Sequence, residues 1–138
     1  MIFKEFYIPH YIEYLFDFFG KYQIKTNKKY TQENKEKVLN SILTLLNQRI
    51  IFVGNWIDNN NFKRWNLSNK EIIEKINSLW LEGTEYPELY NIVYFNYEEW
   101  YIDELEKLGF NENSNWDTFI KENIGNLEKW IEENRPKE

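Results

Sequence analysis

The chain has 138 residues, no cysteine, one histidine and a formal net charge of −6. That length suits one domain able to bury roughly two-thirds of its unfolded surface, and the lack of cysteine excludes a disulfide, a thiolate nucleophile and a zinc ribbon. No run of about 18 apolar residues exists to span a bilayer, and no basic segment with an apolar core opens the chain as a secretory signal would. The expectation is a cytoplasmic protein with no membrane partner.

Residues 1–22 read as an extended lead-in and a helix from about Pro9, since proline suits the first helical turn. Tyr11, Ile12, Tyr14, Leu15, Phe16, Phe18 and Phe19 surround that helix with apolar groups, which predicts deep burial. A face for a partner is the alternative, because aromatic side chains are enriched at interface cores. His10, the single histidine, cannot build a typical zinc site without cysteine. No nucleophile is recognisable near it in sequence, so it reads as a helix-start residue and not as a general base. Lys21 to Lys29 forms a basic loop, and Thr31 is the expected N-cap of a helix carrying Val38, Leu39, Ile42, Leu43, Leu45 and Leu46.

The run Ile50-Ile51-Phe52-Val53, closed by Gly54, predicts a buried strand. Asp58-Asn59-Asn60-Asn61 is turn chemistry, and Phe62 to Trp65 reads as an antiparallel return strand. Ser68-Asn69-Lys70-Glu71 fits a capping box. Ile72, Ile73, Ile76, Leu79 and Trp80 then supply one apolar helical face. Residues 81–88 read as a loop marked by Gly83 and Pro87, and Ile92 to Phe95 as a second strand pairing with Ile51–Val53. From Glu98 a helix turns Tyr101, Leu105 and Leu108 inward and stops at Gly109. A last helix starts near Ser114 and runs past Gly125 with Phe119, Ile120, Ile124, Leu127, Trp130 and Ile131 inward. The class expected is α+β, mostly helical with a small antiparallel sheet, in a single domain over 1–138.

Charge is unevenly placed. Residues 21–75 carry eleven basic and five acidic side chains, a net of +6, whereas residues 76–138 carry five basic and fifteen acidic, a net of −10. A solvated helix face accounts for such a run as readily as a binding surface does. The aromatic content of 19% with no alanine reads as compositional bias, so individual Asn and Lys residues are given no functional weight by abundance alone.

The strings IIFVGNW, FKRWNLS, IIEKINSLW and YPELYNIVYF, covering residues 36–97, resemble small bacterial winged-helix-like proteins, several of which are similar to immunity proteins of bacterial toxin systems. The resemblance implies a winged-helix-like core at 36–97 with helical additions at 1–35 and 98–138. It implies no catalytic residue.

Three functions follow as expectations. The first is an immunity protein that binds and neutralises a cognate toxin, a nuclease with a basic active site, through complementary charge. Its partner-binding residues would be Glu98, Glu99, Asp103, Glu104 and Glu106, with Tyr97 and Trp100 as aromatic anchors. The second is a winged-helix nucleic-acid-binding regulator using Lys63, Arg64, Lys70 and Lys75 on phosphates; a net charge of −6 lacks the usual basic footprint. The third, an enzyme, ranks lowest, with no Gly-rich phosphate loop, no HExxH motif and no calcium-loop spacing at 98–106. Neither a cofactor nor a metal is expected.

Overall fold

The computed structural model describes residues 2–24, 32–81, 84 and 86–137. Its centre is the short strand β1, Ile51–Trp56, which pairs antiparallel on one side with β2, Phe62–Arg64, and on the other with β3, Tyr94–Tyr97. The register places Val53 opposite Phe95 and Gly54 opposite both Arg64 and Tyr94. The turn between β1 and β2 is built as its composition predicts. The Asp58 carboxylate accepts from the backbone N–H of Asn60 and Asn61 and from the Asn61 amide.

Because side chains alternate across a strand, Ile51 and Val53 point to the same face as Phe95 and Tyr97, and all four are buried. That face meets α1, Gln32–Asn47, and α2, Asn69–Leu79, in one core cluster. α1 contributes Val38, Leu39, Ile42, Leu45 and Leu46, all buried, and α2 contributes Ile72 and Ile76. The capping box of α2 forms: Ser68 Oγ accepts from the Glu71 N–H at 3.2 Å, and the Glu71 carboxylate accepts from the Ser68 N–H at 3.0 Å. Those bonds hold the Glu71 carboxyl below its usual range. The predicted cap at Thr31, and most of the Lys21 to Lys29 loop, lie outside the described residues.

Four expectations need correction. Residues 9–22 do not form an α-helix. The N-terminal segment carries three 3-10 turns, Lys4–Tyr7, Leu15–Phe18 and Gly20–Tyr22, and His10 takes left-handed backbone at φ 70. Its carbonyls serve distant side chains. The Tyr97 hydroxyl donates to the Phe6 carbonyl at 2.7 Å and accepts from the Ile12 N–H at 3.2 Å, and the Tyr101 hydroxyl donates to the Tyr7 carbonyl at 2.5 Å. The Glu13 carbonyl accepts from the Phe95 N–H at 2.9 Å, so residues 13–14 cover the outer edge of β3. The aromatic surplus is buried by wrapping, with Phe6, Leu15 and Phe18 at 0% exposure.

Second, the end of the predicted 81–88 loop belongs to α3, Tyr86–Ile92. Pro87 sits in its first turn, where a missing N–H is harmless. The strand therefore begins at Tyr94, not Ile92; Ile92 and Val93 are buried ahead of it.

Third, the last helix is two helices. α5, Trp116–Asn123, ends where Gly125 adopts φ 85 and the Ile120 carbonyl accepts from the N–H groups of both Ile124 and Gly125. Asn126 then caps α6, Leu127–Asn134, with Oδ1 accepting from the Lys129 N–H at 3.1 Å. Glycine reaches that left-handed conformation without the Cβ penalty that would let the helix run on.

Fourth, Leu108 stays 38% exposed beyond the end of α4, Glu99–Lys107, while Tyr101 and Leu105 are fully buried as expected. The α+β class itself is the class observed.

Candidate partner-binding surface

α4 follows β3 directly, and its start is fixed from two sides. The Glu98 N–H donates to the Ile50 carbonyl at 2.8 Å, continuing the β1–β3 ladder, and the Tyr101 hydroxyl reaches the N-terminal segment. With Tyr101 and Leu105 pinned inward, residues at i, i+4 and i+7 on the opposite side face water. Those residues are Glu99, Asp103 and Glu106, and all three are exposed. None has an ion-pair partner among the described residues. Three carboxylates along about two turns of helix, of which only Asp103 feels a nearby cation, the Lys107 ammonium already bonded to Glu104, repel one another at low salt and favour an incoming positive charge.

The other expected interface residues are placed differently. Tyr97 is 5% exposed, with its hydroxyl in two buried hydrogen bonds and burial pushing the phenol upward. It belongs to the core and offers no surface anchor. Its alternation with Asn96 and Phe95 in β3 is the signal that marked it as inward. Trp100 is half-buried; its indole N–H donates to the Arg49 carbonyl at 2.5 Å, and its ring lies 6.3 Å from that of Trp130. Glu98 is engaged by the Arg64 guanidinium in two bonds, of 2.9 and 3.3 Å. Glu104 pairs with Lys107 at 2.9 Å, which raises the lysine's pKa. The structure therefore gathers Glu99, Asp103 and Glu106 into one stripe and assigns Tyr97, Glu98 and Glu104 to contacts within the protein.

The basic residues proposed for phosphates are scattered by the same logic. Arg64, besides holding Glu98, lies 4.5 Å above the Phe52 ring. The Lys75 ammonium lies 4.1 Å from the Trp65 ring. Lys63 and Lys70 are exposed.

Two features went unread in the sequence. One is the outer face of the sheet, where Phe52, Trp56 and Phe62 stand on the side away from the core. Phe62 sits edge-on to Phe52 at 5.9 Å and to Trp56 at 5.2 Å, and Trp56 remains 47% exposed. The period-2 pattern of β1 was the available signal.

The other is a cleft of about 680 Å³ between the Ile8–His10 turn and the loop joining α4 to α5. Phe110 and Trp116 form part of its wall, edge-on to each other at 5.3 Å. Glu106 and Glu112 line it, and His10 stands at its margin with its ring 6.4 Å from that of Tyr97. No local motif marks this cleft, because its two walls are about a hundred residues apart in the chain.

Among the described residues no group of three His, Asp or Glu side chains is placed to hold a metal ion. No described helix is long and apolar enough to cross a membrane. No family model matches the sequence, and no curated protein or solved structure matches it either.

Proposed function

We propose that this protein is an inhibitory binding partner, an immunity protein that neutralises a toxin whose active surface is basic, in the manner of a nuclease. The observation that carries this reading is the stripe of Glu99, Asp103 and Glu106 on α4, exposed and making no ion pair within contact distance among the described residues. A protein that handles nucleic acid presents Lys and Arg to phosphates. An acidic face meeting those cations speeds encounter and covers the phosphate-binding surface. The exposed aromatics Trp56 and Tyr11 add side chains of the kind that dominate binding energy at protein interfaces. Engagement of Arg64 by Glu98 and Phe52 argues against the hairpin as a phosphate-binding wing.

The test is affinity capture from the source cells with the intact chain as bait, with and without added nuclease. The expected result is one protein retained in stoichiometric amount after nuclease treatment, released as salt rises because exposed charges are screened, and losing nucleic-acid cleavage when the chain is added back. Recovery of nucleic acid, with the proteins lost on nuclease treatment, would overturn the inhibitor reading.

A further inference from the structure

We propose that the cleft between the Ile8–His10 turn and the α4–α5 loop is a receptor for a basic residue, arginine or lysine, in an exposed segment of the protein partner. The inference rests on the inhibitor reading and deepens it, because Glu106 belongs both to the α4 stripe and to the cleft.

The cleft's chemistry is what a basic side chain needs. Its walls include Ile8, Ile102, Phe110 and Trp116, surfaces on which an alkyl stem can lie. Aromatic rings also attract a cation placed over them, better so when it is partly desolvated. Glu106 and Glu112 supply two carboxylates, each exposed and without an ion-pair partner among the described residues. Among the described residues no lysine or arginine lines the cleft. The lining thus lacks a cation where it offers two anions.

The loop that forms one wall is already ordered by its own hydrogen bonds. Ser114 Oγ accepts from the Asn111 N–H at 3.0 Å, Asn111 Oδ1 accepts from the Asn113 N–H at 2.8 Å, and Asn115 Oδ1 caps α5 through the Thr118 N–H at 3.0 Å. A preformed site spares the ordering cost of binding. At about 680 Å³ the cleft exceeds one side chain, so the residue enters with flanking backbone.

The test uses the intact chain and small probes, so it needs no partner, and its failure is distinguishable from failure of the inhibitor reading. Acetyl-Gly-Arg-Gly-amide, its citrulline counterpart and ethylguanidinium are titrated while NMR follows the Trp116 indole and the backbone amides of 109–115. The expected result is saturable shifts with the arginine peptide and weaker binding of both other probes. The variant Glu106→Gln/Glu112→Gln, with the chemical-shift dispersion of the native fold, should bind the arginine peptide about threefold to tenfold more weakly, as fits two partly solvated ion pairs. Glu112→Gln alone, on an exposed loop, repeats the comparison with least risk to folding. Equal binding of the arginine and citrulline peptides, no saturable shift, or unchanged affinity in the Gln variants would overturn the proposal. Equal binding of ethylguanidinium and the arginine peptide would overturn the assignment to a protein segment and point to a free organic cation.

Discussion

Trp80→Ala is expected to destabilise the protein by about 3–5 kcal/mol, the range for deleting a large aromatic side chain from a core. Trp80 is 2% exposed and stacks on Phe19 with ring centres 5.3 Å apart and planes at 18°. It also closes α2. Its N–H donates to the Ile76 carbonyl at 2.9 Å, and its own carbonyl accepts from the ammonium of Lys35 at 2.6 Å. That ammonium also donates to the Asn77 carbonyl at 3.1 Å and lies 5.6 Å from the Trp80 ring. Lys35 is thus a buried lysine of α1 held against the C-terminal end of α2, with burial lowering its pKa. Removing the indole opens a cavity and exposes that charge arrangement to water at once. Against a typical total of about 5–15 kcal/mol, the loss removes a large share of stability. Urea denaturation followed by circular dichroism measures it, and a midpoint within error of the wild type would contradict the packing described. Trp80→Phe, which keeps an aromatic ring against Phe19, should recover much of the loss.

Gly54→Ala is expected to cost about 3 kcal/mol or more, the upper part of the range for forcing atoms into a filled site. A Cβ at position 54 would stand 2.2 Å from the Lys63 carbonyl oxygen and 2.8 Å from two ring atoms of Phe62. The ring could rotate away. The carbonyl belongs to the paired strand and cannot move without breaking the β1–β2 ladder. The combination Gly54→Ala/Phe62→Ala should therefore remain destabilised, since it relieves the ring contact and leaves the backbone contact. Equal denaturation midpoints for wild type and Gly54→Ala would refute the close approach; rescue by Phe62→Ala would show that the ring alone imposed it.

The elements that were legible in the sequence are those whose causes lie within a few residues. The Ser68–Glu71 box and the Asp58 turn each depend on neighbours and form as the local chemistry directs; the strand at Ile51–Val53 forms as well but runs on past Gly54 to Trp56, where it pairs with β2. The N-terminal segment was misread because its conformation is set from afar. Tyr97 lies 91 residues from its acceptor Phe6, and Tyr101 lies 94 residues from Tyr7. Two buried phenols reaching for carbonyls hold that stretch in 3-10 turns despite a proline well placed to start a helix. α3 was missed because Gly83 and Pro87 looked like loop punctuation, although proline in a first turn is equally a helix start. The apolar period continues across Gly125 and so predicts one helix, whereas its left-handed backbone ends α5 and lets Asn126 begin α6.

The candidate surface was legible in part. Helical spacing alone identifies Glu99, Asp103 and Glu106 as one stripe once Tyr101 and Leu105 are placed inward. Engagement of Glu98 by Arg64 is a contact across 34 residues, which no local pattern encodes. The burial of Tyr97 was written in the alternation of β3 and was obscured when the strand was placed two residues early.

The most direct test of the account compares binding and stability in one variant, Glu99→Lys/Asp103→Lys/Glu106→Lys. All three positions are exposed, so the fold should survive; the thermal midpoint should fall only slightly, because Glu99 leaves the first turn of α4 and a lysine at 103 faces Lys107 one turn on. Calorimetric titration with the captured partner should show affinity lower by about a hundredfold, since like charges brought together across an interface cost several kcal/mol. A variant that stays folded and binds with wild-type affinity would contradict the assignment of the α4 stripe as the partner-binding surface.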